Sequence, residues 1–133
     1  NHCHLKISGI LNVQLKPHQR LEAWQQAMLL VKMVYSATAS FPKEELFGLT
    51  SQMRRAAISI PSNIAEGAAR SGDKEYLHFL SIARGSLSEL DTQIQISRML
   101  AYLPEDAALD DLLERVGKLL TGLSRKLQHD TKQ

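Results

Sequence analysis

Cysteine and aromatic residues are scarce in this sequence, and their scarcity excludes several classes of protein. The chain has 133 residues and a single cysteine, which rules out an internal disulfide and favours a reducing compartment. Aromatic residues make up 5% of the chain, so aliphatic side chains and alanine have to form the core. Four prolines and seven glycines are few for a β-sandwich, which needs many tight turns. These shortages favour a helical protein.

Long apolar runs are missing as well. No stretch approaches the roughly 20 consecutive apolar residues that a membrane-spanning helix requires. Residues 4–13, HLKISGILNV, are too short and too polar for the apolar part of a secretory signal. Hydrophobic residues make up 44% of the chain and charged residues 23%, which are ordinary values for one soluble domain. We therefore expect a cytoplasmic protein that has no contact with a membrane.

The charge of the chain is small but unevenly distributed. A net charge of +2 is too weak to argue for nucleic-acid binding by itself. Residues 105–115 are predominantly acidic, whereas residues 116–133 are predominantly basic. Because the helix macrodipole favours acidic residues at the start of a helix and basic residues at its end, this asymmetry is typical of one long helix.

Apolar residues recur at intervals of three and four in four segments, a spacing that places them on one face of a helix. The four predicted helices span 17–39, 49–70, 73–102 and 105–128. Between them lie short connections that contain proline or glycine, and no hairpin pattern occurs. We therefore predict an all-α fold, an up-down-up-down four-helix bundle, over residues 17–133. Residues 1–16 are interpreted as an N-terminal arm or extension.

The apolar stripes of the four predicted helices give the candidate core. The stripes consist of Leu21, Trp24, Met28, Val31, Tyr35 and Thr38; Leu49, Met53, Ala56, Ile60 and Ile64; Leu80, Ala83, Leu87, Leu90, Ile94, Ser97 and Ala101; and Leu109, Leu112, Val116, Leu120, Leu123 and Leu127. Ile58, Ile82 and Ile96 lie off these stripes, so we expect a further surface to cover them. Gly85 costs about 1 kcal/mol relative to alanine inside a helix, which predicts that a neighbouring backbone approaches it closely.

The second predicted helix carries Pro61 in its interior and a row of polar residues around it. Proline has no N–H to bond the carbonyl of Ala57, at a cost of about 3 kcal/mol in an ordinary helix. We expect a kink at this point and side-chain hydrogen bonds to the freed backbone groups. The candidate polar network consists of Arg55, Ser59, Ser62, Asn63 and Glu66. A buried structural network and a functional pocket are both compatible with this pattern.

Basic residues are most frequent around the join between the second and third helices. The candidate nucleic-acid-binding residues are Arg54, Arg70, Lys74 and Arg84. Helical spacing places Arg55 beside the polar network and leaves Arg54 freer. A solvated surface, contact with phosphate groups and pairing between subunits are the three interpretations that these residues leave open.

Patterns that would indicate catalysis or metal binding are weak. The motif His2-Cys3-His4 has no second cluster that would complete a zinc site. Glu66 and Glu89 lack the Glu-x-x-His pairs of di-iron bundles. The chain has neither a serine in a nucleophile elbow nor a glycine-rich phosphate loop. We therefore predict that the protein is not an enzyme and needs no metal or cofactor.

The segments around the second and third helices resemble a known bacterial family. They match, over about residues 20–103, the four-helix bundle proteins encoded in intervening sequences of 23S ribosomal RNA genes. The accessory variability determinant proteins of diversity-generating retroelements are similar to that group. The segments that carry the resemblance are AWQQAMLLVKMVY, FPKEELFGL, LTSQMRRAAISIPSNIAEGAAR and KEYLHFLSIARGSLSELDTQI.

The resemblance implies a ring-like homopentamer of four-helix bundles in a bacterial cytoplasm. For the retroelement members it also implies a basic surface that binds nucleic acid and a reverse transcriptase as partner. The modest charge of this chain favours the intervening-sequence branch, for which no catalytic activity is implied. The leading hypothesis is an oligomeric scaffold or adaptor that binds RNA or DNA, with or without a protein partner. The alternative is a protein-interaction module without a nucleic-acid role, and an enzyme that uses Ser62, Asn63 and Glu66 is the third hypothesis.

Overall fold

Four long α-helices form the fold, as the spacing of apolar residues predicts. The computed structural model describes residues 17–132, so the expected N-terminal arm and its His2-Cys3-His4 motif lie outside the described residues. The helices are α1 (Glu22–Thr38), α2 (Leu49–Ala68), α3 (Asp73–Met99) and α4 (Ala107–Lys132). Two short 3-10 helices, Pro17–Arg20 and Lys43–Glu45, precede α1 and α2. No β-strand occurs within the described residues.

Each helix packs against two others, which closes the bundle. The contacting pairs are α1 with α2, α2 with α3, α3 with α4, and α4 with α1. Two hydrogen bonds join α2 to α3. One links the hydroxyl groups of Ser59 and Ser86, and in the other the hydroxyl of Ser97, later in α3, donates to the sulfur of Met53, earlier in α2. These contacts give α2 and α3 opposite directions. The structure therefore confirms the predicted all-α, up-down-up-down four-helix bundle.

The predicted stripes of α2, α3 and α4 form most of the core, but the stripe of α1 was wrong in part. Met28 is 45% exposed and Tyr35 is 40% exposed. The buried residues of α1 are Ala23, Ala27, Leu30, Val34 and Thr38. Because α1 is apolar on two adjacent faces, two stripes satisfy the same spacing, and the face with the smaller alanine side chains packs inward.

Several helix ends differ from the sequence prediction, α4 for instance ending at Lys132 rather than at residue 128, and two of the differences have a clear local reason. Leu21 has an extended backbone, with φ −76° and ψ 127°, so α1 begins at Glu22 rather than at Pro17. At the end of α3, Ala101 has φ 64°, and the N–H of Tyr102 donates to the carbonyl of Ser97. This is a Schellman motif, which ends the helix at Met99 without the usual glycine.

A close approach of two backbones occurs at Gly67, not at Gly85. A Cβ atom on Gly67 would lie 2.9 Å from Cδ1 of Tyr76 and 3.2 Å from the carbonyl oxygen of Tyr76. A Cβ atom on Gly85 would meet no atom within 4 Å, so the expectation for Gly85 was wrong. Gly67 therefore allows the end of α2 to pack against the first turn of α3.

Candidate nucleic-acid interface and polar cleft

Arg54 is held between α1 and α2, contrary to the expectation that it is freer than Arg55. Its Nε donates to the buried hydroxyl of Thr38 at 2.9 Å, and its guanidinium lies 4.5 Å from the centre of the Tyr35 ring. The side chain of Thr38 in turn donates to the carbonyl of Val34 at 2.8 Å. Arg54 therefore stabilises the contact between α1 and α2, and its guanidinium is only partly available to a phosphate group.

The other three candidate cations lie on α3 and at the turn before it. Arg70 pairs with Glu66 at 2.6 Å and lies 4.9 Å from the centre of the Phe79 ring. Lys74 and Arg84 are exposed and make no hydrogen bond or ion pair with the described residues. They are ten residues apart on α3, which corresponds to about 15 Å along the axis and about 80° around it. Lys74 and Arg84 are therefore the cations of the predicted set that are most available to a ligand.

The predicted polar network is present in part, between α2 and α3. Nδ2 of Asn63 donates to the carbonyl oxygen of Ser59 at 2.8 Å and to its hydroxyl oxygen at 2.9 Å. The hydroxyl of Ser59 also bonds the hydroxyl of Ser86 at 2.8 Å. None of these side chains bonds the carbonyl of Ala57 that Pro61 leaves without a partner, and α2 continues through Pro61. The network thus joins two helices instead of compensating for the proline.

A polar cleft of ≈ 450 Å³ opens beside this network. It is lined by Gln52, Arg55, Ala56, Ser59, Ser86 and Glu89. Arg55 is exposed and makes no hydrogen bond or ion pair with the described residues, so it does not join the predicted polar network. The cleft combines a cation, a carboxylate and two hydroxyl groups, which lets it donate and accept hydrogen bonds at the same time.

Ser62 and Glu66 do not belong to this network. Ser62 lines an apolar groove between α1 and α2 with Trp24, Met28 and Pro61. Glu66 is exposed and binds Arg70. Both residues are one turn or less from Asn63 in sequence, but a helix turns about 100° per residue, so neighbours in sequence face different partners.

The predicted polar network omits both residues that α3 contributes to the cleft, and the sequence pattern pointed to Glu89 only as a possible metal ligand. Ser86 and Glu89 lie three residues apart on the flank of α3 that faces α2. On the same flank, the buried amide of Gln93 donates to Glu89 at 3.4 Å, while its oxygen has no hydrogen-bond partner among residues 17–132. The recurrence of polar residues at positions 86, 89 and 93 was the available signal. This spacing places the three residues on one flank of α3, but it does not show that the flank faces α2.

The described residues offer little chemistry of the kind that catalysis requires. No group of three or more histidine, cysteine or acidic residues within 17–132 could hold a metal ion. Burial and then the charge of Asp73 raise the pKa of Tyr76, and a hydrogen bond to Glu45 raises the pKa of Tyr102. Because their pKa values are raised, both phenols stay protonated at neutral pH. Neither phenol can therefore accept a proton as a general base. Among the described helices, none has an apolar stretch long enough to span a bilayer.

Comparison with known proteins identifies the family. The family described as "23S rRNA-intervening sequence protein" matches residues 19–122, which is more than half of the chain and includes α1, α2, α3 and most of α4. A search of curated proteins finds no match. The four-helix architecture and the match over all four helices agree with the resemblance seen in the sequence, and we conclude that the chain belongs to the 23S rRNA-intervening sequence protein family.

Proposed function

We propose that this chain is a non-enzymatic, homo-oligomeric scaffold that binds nucleic acid through exposed basic residues on α3. The observation that carries the proposal is the exposure of Lys74 and Arg84, which have no partner among the described residues. Arg70 adds a third cation, weakened by its pair with Glu66. Arg54 contributes least, since its guanidinium is bonded to Thr38.

The charges around Arg70 and Lys74 predict that a single subunit binds nucleic acid weakly. Glu66, Asp73 and Glu75 lie within a few residues of Arg70 and Lys74, so acidic groups outnumber basic groups in this part of the chain. Carboxylates near a phosphate site reduce the attraction that the cations provide. Useful affinity would therefore require several copies of the site on one particle.

Exposed apolar residues on the flanks of the bundle support assembly into an oligomer. Ile58, Ile82 and Ile96 are 41%, 38% and 37% exposed, as expected for residues off the main stripes. Ile58 also lines the apolar groove between α1 and α2. The family resemblance implies a homopentamer, and a ring would repeat Lys74 and Arg84 five times. Contacts between these flanks would cover the isoleucines, and Arg84, which lies about 160° around α3 from Ile82, would stay outside.

Fluorescence anisotropy with labelled single-stranded RNA and DNA tests the nucleic-acid contact. We expect binding at low salt that weakens steeply as salt rises, because each neutralised phosphate releases condensed counterions. The double substitution Lys74→Glu and Arg84→Glu should weaken binding of all sequences about equally. A plot of the logarithm of the binding constant against the logarithm of the salt concentration should also become less steep. Its slope should decrease by about one for each phosphate that the variant no longer neutralises.

The control variant carries Lys32→Glu and Lys43→Glu, which change the net charge by the same amount at exposed positions away from the start of α3. It should bind nearly as well as the unmodified protein. Absence of binding at low salt, or equal losses of affinity in the two variants, would contradict the proposal.

The alternative function is a protein-interaction module without a nucleic-acid role. For both functions we propose that the protein works in the cytoplasm. The large apolar side chains that remain exposed in the connections between helices favour it, with Phe47 at 93% exposure. A reverse transcriptase partner would follow if the chain shared the role of the retroelement accessory proteins. Co-purification with such an enzyme from cells that contain both proteins would distinguish that branch of the alternative.

A further inference from the structure

We propose that one end of the bundle is a docking surface for a basic, apolar segment of a protein partner. This loop end consists of the connection between α1 and α2 and the turn between α3 and α4, with the exposed residues Leu46, Phe47, Met99 and Leu100. The proposal goes beyond the nucleic-acid contact, since it uses different residues, and it assigns a partner class to the protein-interaction alternative.

The exposure of these four side chains is the first argument. Phe47 is 93% exposed and Met99 is 79% exposed, the two highest values among the exposed large apolar residues that the structure describes. Leu46 and Leu100 follow with 51% and 47%. Single exposed apolar residues are common on protein surfaces, but several large ones at one end of a small domain mark an interaction site.

The two connections are fixed to each other, which is the second argument. The Oε2 atom of Glu45 accepts a hydrogen bond from the Tyr102 hydroxyl at 3.1 Å, and its Oε1 atom accepts one from the N–H of Leu49 at 3.2 Å. The rings of Phe41 and Tyr102 lie 5.5 Å apart between their centres. Because one carboxylate joins the start of α2 to the end of α3, the apolar residues are presented by a preorganised surface, which lowers the entropy lost on binding.

The charge of the loop end selects the class of partner. Six carboxylates and three cations lie in its connections and in the adjoining helix ends, namely Glu44, Glu45, Glu105, Asp106, Asp110 and Asp111 with Lys43, Arg54 and Arg98. Arg98 is already paired with Asp110 at 3.0 Å. An acidic surface repels nucleic acid and anionic membranes, and it repels the same end of a second copy. An apolar segment flanked by lysine or arginine fits both properties of the surface.

The probe for this site is a fluorescent peptide of about 14 residues, made of leucine and lysine at helical spacing so that it forms roughly four turns, used with the full chain. We expect saturable binding, followed by anisotropy, and at least tenfold weaker binding to a protein with Phe47→Ser and Leu100→Ser. The control is Met28→Ser, because Met28 on α1 is 45% exposed, close to the 47% of Leu100, and lines a groove to which no loop-end residue contributes. A peptide of the same pattern with glutamate in place of lysine should bind at least tenfold less tightly.

Three results would overturn the proposal. The first is equal loss of binding in the Met28→Ser protein, and the second is equal binding of the lysine and glutamate peptides. The third is a lower oligomer mass for the Phe47→Ser, Leu100→Ser protein in light scattering, since the surface would then hold a second copy. Thermal melts of each variant test whether it is folded. If the double variant is unstable, the single variant Phe47→Ser replaces it in the binding experiment. RNA binding by the same variants should be unchanged, so failure of this proposal is distinguishable from failure of the nucleic-acid proposal.

Discussion

Arg54 and Arg55 are adjacent in sequence and differ completely in their surroundings. Arg54 bonds Thr38 and lies over the ring of Tyr35, whereas Arg55 is exposed in the polar cleft between α2 and α3. A rotation of about 100° between consecutive helical residues separates a structural arginine from one that is available to a ligand. At this scale the partner of a side chain, and not its chemical type, decides its role.

Gly67 should not tolerate a side chain. In Gly67→Ala, the new Cβ would lie 2.9 Å from Tyr76 and 3.0 Å from the Cβ of Phe79, so the start of α3 has to shift. We expect a loss of about 1–3 kcal/mol in the free energy of unfolding, measured by urea denaturation. Gly85→Ala is the matched control, because it has open space and should stabilise the helix by about 0.5–1 kcal/mol. A Gly67→Ala protein as stable as the Gly85→Ala protein would contradict the packing described here.

Asn63 should contribute to stability through its bonds to Ser59. Its amide is half-buried and donates two hydrogen bonds there, so Asn63→Ala should lower the free energy of unfolding by about 1 kcal/mol. Ser62→Ala, at an exposed position next to it, should change the stability by less than about 0.5 kcal/mol. Identical melting curves for the two variants would show that the bonds to Ser59 contribute nothing.

Tyr76 should make the fold sensitive to alkaline pH. Burial and the charge of Asp73 raise its pKa in the folded protein, whereas the unfolded chain ionises near the ordinary value of about 10. The stabilisation is therefore complete below about pH 10 and is lost as the pH rises through the folded pKa, because the unfolded state releases its proton first. The melting temperature of Tyr76→Phe should fall less between roughly pH 9 and 11 than that of the unmodified protein. Parallel curves for the two proteins would refute this role.

Local hydrogen bonds and backbone conformation fix where α3 ends and where α4 begins. Asp106 accepts bonds from the N–H groups of Ala108 and Leu109 at 3.1 Å and 3.2 Å, so α4 starts after it. At the other side of the same turn, the positive φ of Ala101 ends α3. These two features set the length of the turn that follows Met99 and begins with Leu100, and thus the shape of the loop end.

Removal of the cap on α4 should destabilise the whole bundle. Asp106→Ala leaves two N–H groups without a side-chain partner and should lower the free energy of unfolding by about 1 kcal/mol. Asp111→Ala, at an exposed position in the same helix, removes the same charge without a capping bond and should cost less than about 0.5 kcal/mol. Chemical denaturation of both variants provides the comparison, and equal losses of stability would argue against a capping role.

At the scale of the whole molecule, the apolar residues left outside the core determine what the bundle can bind. They occur on the flanks of the helices and at the loop end, which are different surfaces. We attribute the flanks to contact between copies of the chain and the loop end to a basic protein partner. The exposed cations of α3 then remain for nucleic acid.

The oligomeric state is the most direct test of this division. Light scattering should give the mass of a homo-oligomer, with a pentamer expected from the family resemblance. Ile58→Glu should reduce that mass because it buries a charge in a contact between subunits. Glu44→Gln, at an exposed position of the loop end, should leave the mass unchanged. A monomer in the unmodified protein at micromolar concentration would refute the oligomer.

Prediction from the sequence succeeded where a residue's role depends on its own helix. The cores of α2 and α4 followed from apolar spacing, because the period of a helix is the same in every context. It was wrong for Met28, Tyr35 and Gly85, whose surroundings depend on a second helix. Arg55 and Ser86 show the same limit, since they line one cleft although they come from two different helices.

The amino-acid sequence alone determined the helical fold, the number of helices and the family, because periodicity and family-specific segments are properties of the chain itself. Only the tertiary structure decided which face of α1 is buried, which arginine is free and which apolar residues meet at the loop end. These properties depend on the rotation of each helix about its axis relative to its neighbours. That rotation is set by packing of side chains from different parts of the chain, which spacing along one helix does not contain.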